Sequence, residues 1–247
     1  MSQELSGRTV VVAGSTSAAG AAVVRTLSQA GARVAAVDIL EDRVQELSGS
    51  YDNVTGYVCN LADLQAVEDL AASVRNDLGP VDGLIHLVGG WRGGTGIAGQ
   101  TDEDWDFLHA SVLTTLRNTS RAFYQDLAAS PVGRLAIVSA QSASSPTADG
   151  PAYAAVKSAA EAWTLAVADG FRHPQGGNES RSAALVFVVK ALVDDRMRAA
   201  QPERKFPGFT DVSVLADAVQ RIFGLEAERI NGQRLPLTAG HLVGAPS

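Results

Sequence analysis

A chain of 247 residues, 46% hydrophobic and 19% charged, is long and apolar enough for one α/β domain with a substantial core, which excludes a disordered chain. The formal net charge of -7 argues against a nucleic-acid partner, because phosphate binding calls for a basic face. Cys59 is the only cysteine, so an internal disulfide and a cysteine metal cluster are excluded, and a reducing, cytoplasmic setting is the simplest one.

No stretch approaches the ~20 uninterrupted apolar residues that cross a bilayer, and the apolar run near the start is too short for a secretory signal. The expectation is therefore one domain over residues 1–247, with no metal, no membrane and no nucleic acid among its partners. Short runs rich in Val, Ile and Ala alternate with helix-period segments, the pattern of strands buried on both faces of a parallel sheet. In chain order the first half reads strand Thr9–Ala13, helix Ala18–Ala30, strand Arg33–Val37, helix Asp42–Ser48, strand Val54–Cys59, helix Leu64–Leu78 and strand Gly83–Val88. The second half reads helix Thr101–Ala129, strand Arg134–Ser139, helix Pro151–Phe171, strand Ala183–Val189, helix Ser213–Phe223 and strand Arg234–Leu237. This alternation predicts an α/β, Rossmann-type doubly wound parallel sheet of about seven strands with helices on both faces, and ligands at the carboxyl ends of the strands. Two turn-rich stretches, Gly89–Gly99 and His173–Arg181, are expected to border or oppose a site.

Directly after the first strand comes Gly14-Ser15-Thr16-Ser17-Ala18-Ala19-Gly20, opening a helix. Gly14 suits a tight turn and Gly20 a close approach of helix to strand, so backbone N–H groups and the helix dipole face a pyrophosphate. Gly14, Ser15, Thr16, Ala19 and Gly20 are the candidate contacts. Asp38 ends the second strand 18 residues after Gly20. A carboxylate there accepts ribose hydroxyls and meets a 2′-phosphate with like charge, so NAD is favoured over NADP, with Ile39 beside it as a further contact. The bland alternative is a plain βα turn with Asp38 capping the next helix.

Tyr153-Ala154-Ala155-Val156-Lys157 opens the helix after the fifth strand, placing Tyr153 and Lys157 on one helix face. A phenol beside an ammonium suits proton transfer, since the ammonium stabilises the phenolate. Together with the Gly14 turn and Asp38, this resembles the short-chain dehydrogenase/reductase family over nearly the whole chain. The resemblance implies an NAD-dependent oxidoreductase acting on a small-molecule alcohol or carbonyl, assembled as a homodimer or homotetramer through helix Pro151–Phe171 and the long helix before it. It also implies that Lys157 binds the nicotinamide ribose, that Asn60 and Leu61 contact the adenine, that Val88 and Gly89 join the cofactor contacts, and that Val193 offers its backbone to the carboxamide. His86-Leu87-Val88-Gly89 keeps only the glycine of the family's Asn-Asn-Ala-Gly, and His86 reads as a packed strand residue rather than a base.

The sequence departs from the family at three places that matter for chemistry. Ala18 replaces a glycine of the turn, adding a tolerable methyl. Ala140, 13 residues before Tyr153, stands where the family has the serine that bonds the substrate oxygen. Ser142 shares the parity of Ala140 if the strand continues and so ranks above Ser139 as a substitute. Val112 replaces the family's relay asparagine, leaving Thr115 or Ser111 to hold a water. These losses keep open a nucleotide-binding sensor or scaffold without turnover, or a non-redox lyase or cyclase. At the expected mouth, Trp91 can stack on a planar substrate, Arg92 can grip a carboxylate, and Lys190 can meet a cofactor phosphate or an anionic substrate. Each is equally read as an ordinary surface residue. Pro202–Phe209 is expected to contribute to a lid.

Overall fold

The computed structural model describes residues 4–173, 181–238 and 241–242. Five-residue strand β1 (Thr9–Ala13) is buried along its whole length, and so are β4 (Gly83–His86) and β6 (Ala183–Val189), as expected of central parallel strands. With β2 (Arg33–Asp38), β3 (Val54–Val58), β5 (Arg134–Ala140) and β9 (Arg234–Thr238) they form a seven-stranded parallel sheet in the order β9-β6-β5-β4-β1-β2-β3, and β10 (His241–Leu242) adds an antiparallel edge. The order reverses between β1 and β4. Their paired ends, Ala13 beside His86, therefore open a crevice at the carboxyl edge of the sheet.

Because successive strand residues face opposite sides, the core divides in two. Val10, Val12, Val34, Ala36, Ile85, Leu185 and Phe187 face α1 (Ala18–Gln29) and α8 (Val212–Ile222). Val11, Ala13, Ala35, Val37, Leu84, Leu135 and Ile137 face α3 (Leu64–Leu78), α5 (Thr115–Ala129) and α6 (Pro151–Arg172).

Several boundaries differ from the sequence reading for physical reasons. The long helix expected at Thr101–Ala129 is α4 (Asp102–Leu108), a π-helical segment His109–Thr114, and α5. Strand β4 ends at His86, and Leu87 through Gly90 leave the ladder to line the crevice. Two-residue strands β7 (Leu192–Val193) and β8 (Thr210–Asp211) pair with each other, framing the short α7 (Asp195–Ala200). Short helices α2 (Glu41–Ser48) and α9 (Ala227–Ile230) complete the set. Most of the turn-rich stretch His173–Arg181 lies outside the described residues. Among the described residues, no helix is long and apolar enough to cross a membrane, and no cluster of three or more His, Cys, Asp or Glu is suited to a metal.

Candidate cofactor and active site

Two cavities meet over the crevice, sharing Leu87, Val88 and Gly89. The smaller, about 620 Å³, is lined by Gly14, Thr16, Ser17, Asp38, Ile39, Asn60, Leu61 and Arg43. The larger, about 1130 Å³, runs over Ala19, Ser139, Ala140, Ser142, Tyr153 and Lys157 to Lys190 and Phe209.

The turn that joins them is built as its glycines require. Gly14 has φ +82°, the left-handed region, and a Cβ there would lie 2.9 Å from the Leu87 carbonyl carbon. A Cβ on Gly20 would lie 2.7 Å from Ser15 Cα, so only glycine lets α1 start this close to β1. Ser17 caps the helix by accepting from Gly20 N–H at 3.0 Å. The N–H groups of Gly14 and Ser15 both donate to the Val37 carbonyl, and that of Thr16 donates to Asp38 Oδ2. The backbone N–H groups of Ser15 and Thr16 thus brace the turn. The Ser15 side chain is fully buried and lines neither cavity. In the first turn of α1 the N–H groups of Ala18 and Ala19 have no intrahelical acceptor, and Ala19 lines the larger cavity. Ala18 is exposed, so its methyl meets no obstacle.

Asp38 does more than the sequence indicated. Its Oδ2 accepts from Thr16 N–H (3.1 Å) and Thr16 Oγ1 (2.7 Å), and its Oδ1 accepts from Ile39 N–H (2.7 Å). A carboxylate has about four acceptor sites, so Oδ1 retains capacity toward the cavity. Asn60 is exposed on the same cavity wall, with its Oδ1 accepting from Ala62 N–H at 3.1 Å; Leu61 is buried behind it. The donor set, the carboxylate and the steric need for glycine fit a dinucleotide laid along the two cavities.

In the larger cavity Lys157 is buried and donates to the Val138 carbonyl at 2.8 Å, with its Nζ 5.8 Å from the Tyr153 ring centroid. Burial pulls its pKa down to about 8, against a smaller upward pull from Glu161 one turn along. Burial also raises the Tyr153 phenol above its ordinary value. Glu161 is held by Arg234, whose Nε lies 2.7 Å away.

The substitute donors are placed differently from the parity argument. Strand β5 ends at Ala140, and Gln141–Ala143 turns into a 3-10 helix, so alternation stops before Ser142. Both Ser139 and Ser142 line the cavity, but only Ser139 is fully buried, and its Oγ has no hydrogen-bond partner among the described residues. The relay substitutes are both engaged. Ser111 Oγ donates to Phe107 O at 2.7 Å and Thr115 Oγ1 to Ser111 O at 2.8 Å, beside a buried Val112.

His86 is a residue whose partners the sequence did not reveal. Its ring nitrogens lie 3.1 Å from Thr115 Oγ1 and 3.2 Å from Thr119 Oγ1. Complete burial, helped by the Lys157 charge, lowers its pKa to about 3, so it is neutral at ordinary pH. Arg92 stacks 4.1 Å from the Phe107 centroid and pairs with Asp104 at 3.4 Å, outside the cavity lining; Trp91 is exposed on the wall. Gly94 N–H donates to Asp149 O, tying this loop to the one that carries Gly150 and Tyr153. Val193 is buried and lies beyond the lining, which Ala191 and Leu192 provide instead.

A doubly wound sheet with a glycine turn at its switch point, and a tyrosine and a buried lysine one helical turn apart above it, defines a protein of the Rossmann-type class. The chain belongs to the short chain dehydrogenase family, whose model matches residues 8–174. It is 29% identical over 164 residues to 2,3-dihydro-2,3-dihydroxybenzoate dehydrogenase of Bacillus subtilis, covering 65% of this chain and 62% of that protein. It is 28% identical over 132 residues to the 3-oxoacyl acyl-carrier-protein reductase of Haemophilus influenzae, spanning only 54% of it. The corresponding reductase of Vibrio cholerae is 24% identical over 96% of this chain and 98% of its own length. Among solved structures, a short chain dehydrogenase from Burkholderia cenocepacia in complex with NADP superposes with a TM-score of 0.80 at 22% identity, covering 96% of this chain and 99% of that one.

Proposed function

We propose that the chain is an NAD-dependent oxidoreductase that interconverts a hydroxyl and a carbonyl on a small molecule, in the cytoplasm, as a homodimer or homotetramer. One observation carries the reading: Tyr153 and Lys157 line a cavity that opens onto the glycine turn and Asp38. When bound, the dinucleotide supplies or accepts the hydride. Tyr153 gives its proton to the carbonyl oxygen in the reducing direction and takes it back in the oxidising one. Its raised pKa keeps the phenol protonated at neutral pH, which favours the acid role. Lys157 stabilises the phenolate left behind and holds the nicotinamide ribose. The orphaned Ser139 Oγ, rather than Ser142, donates to the substrate oxygen in place of the serine missing at Ala140. Gly14, Thr16, Ala19, Gly20, Asp38, Ile39, Asn60, Leu61, Val88 and Gly89 hold the dinucleotide. Asp38 favours NAD by accepting ribose hydroxyls and opposing a 2′-phosphate. Exposed Trp105 on α4 and exposed Ala155 on α6 support the assembly through these helices.

The test is a screen of carbonyl compounds with NADH, repeated with Tyr153→Phe and Lys157→Met. The reading expects turnover that falls at least ~10²-fold in the phenylalanine variant. Undiminished turnover in Tyr153→Phe overturns it. The buried, apolar side chains of Ala140 and Val112 favour a second reading, a nucleotide-binding protein without turnover, which predicts NADH binding and no reaction with any carbonyl.

A further inference from the structure

We propose that the substrate carries an anionic group, a carboxylate or a phosphate, on an apolar body, and that Lys190 and Arg204 receive that group at the mouth of the larger cavity. The proposal rests on the active-site reading above and names the substrate class for it.

The larger cavity has two kinds of wall: Tyr153, Lys157 and Ser139 are polar, whereas Trp91, Leu192, Met197 and Phe209 give an apolar lining suited to a hydrocarbon or ring. Two further lining residues are cations against one ring: Lys190 Nζ is 5.9 Å and Arg204 Cζ 5.7 Å from the Phe209 centroid. Two like charges held near one ring repel each other, and an anion received by both relieves that repulsion.

Both cations have donors to spare. Lys190 uses one on the Pro207 carbonyl at 3.0 Å, and Arg204 one on Gln201 Oε1 at 2.8 Å. Neither forms an ion pair with a carboxylate among the described residues, although several acids belong to the same segment. Those acids are committed elsewhere: Asp194 caps α7 by accepting from Met197 N–H, and Asp195 and Asp211 both pair with Arg198. Glu203 and Lys205 flank Arg204 in sequence, but neither lines the cavity. Among the described residues the one acid on the wall, Asp149, stands beside Gly150 in the loop preceding Tyr153, on the arm that Gly94 ties down. In a chain of net charge -7, a cationic mouth on an apolar cleft concentrates field lines and draws anions selectively. An arginine with one guanidinium nitrogen on Gln201 and the others uncommitted among the described residues adds bidentate recognition of a carboxylate or phosphate.

The experiment is calorimetric titration of the NADH-saturated protein with 2-naphthoate, 1-naphthyl phosphate and neutral methyl 2-naphthoate. It is repeated on Lys190→Gln, Arg204→Gln and the double variant, with NADH titrated separately into each. The expected result is that at least one anion binds about tenfold or more tightly than the ester, that each single variant erodes this preference about tenfold, and that NADH affinity is unchanged. The stronger of the two anions identifies the group. A preference absent in the parent protein, or retained in the double variant, overturns the proposal. Loss of NADH affinity in the variants with anion binding intact also overturns it, assigning the cations to the cofactor. Absence of NADH binding in the parent refutes the active-site reading instead, while the anion titrations on that same protein still decide whether the mouth selects anions.

Discussion

Replacing Ser139 by alanine should make the protein more stable and the enzyme worse, two effects of opposite sign from one oxygen atom. Ser139 is 1% exposed and its Oγ has no partner among the described residues, so folding strips the hydroxyl of water without returning a hydrogen bond. An unmade buried hydrogen bond costs about 1–3 kcal/mol, and Ser139→Ala removes that cost while keeping Cβ and the packing around it. A gain of about 1 kcal/mol corresponds to a rise in Tm of roughly 2–4 °C for a chain of this size. Turnover should fall about 10²- to 10³-fold, the usual loss when a donor aimed at developing negative charge is removed. Ser142→Ala, in the partly exposed 3-10 turn, should change neither quantity. Differential scanning calorimetry reads the first effect, and NADH oxidation with the best carbonyl substrate reads the second. Unchanged stability and turnover in Ser139→Ala, or transfer of the catalytic loss to Ser142→Ala, would refute the reasoning.

The pH dependence follows from Lys157, whose pKa burial lowers to about 8. Below that value its ammonium supports the phenolate, and above it the support is lost, so initial rates of carbonyl reduction should decline as pH rises through about 8; a flat profile to pH 10 contradicts this. His86, lowered to about 3 in the fold against about 6.5 when unfolded, binds fewer protons native than unfolded. Stability is therefore full above pH 6.5 and lost as pH falls toward 3, and His86→Gln should flatten that loss in urea melts between these limits. Gly20→Ala should lower stability by about 1–3 kcal/mol and weaken NADH binding, because its methyl displaces the Ser15 backbone; an unchanged Tm and affinity would contradict the close packing.

The parts legible in the sequence are those with a local signature. Alternation along Val10–Ala13 and Val34–Val37 sends neighbours to opposite cores, and the glycine turn before α1 needs a conformation that few residues supply. Parity failed at Ser142 because it assumed an extended backbone where the chain turns into a 3-10 helix. Two-residue strands such as β7 and β8 carry no periodicity to read. The π-helical segment at His109–Thr114 hides inside a continuous helical pattern, since one extra residue in a turn barely disturbs the spacing. The sequence leaves Arg92 open between a substrate contact and an ordinary surface residue; Phe107 and Asp104, neighbours that arrive only with tertiary packing, hold it outside the cavity lining. The bonds from Thr16 to Asp38, and from His86 to Thr115 and Thr119, likewise join residues far apart in the chain.

The most direct test of the central claim is titration of the purified chain with NADH and NADPH, following energy transfer from Trp91, Trp105 or Trp163, alongside Asp38→Asn. The account predicts tighter binding of NADH than of NADPH, with the preference shrinking about tenfold when the carboxylate charge is removed. Binding of neither nucleotide, or a preference for NADPH that Asp38→Asn leaves unchanged, would contradict it.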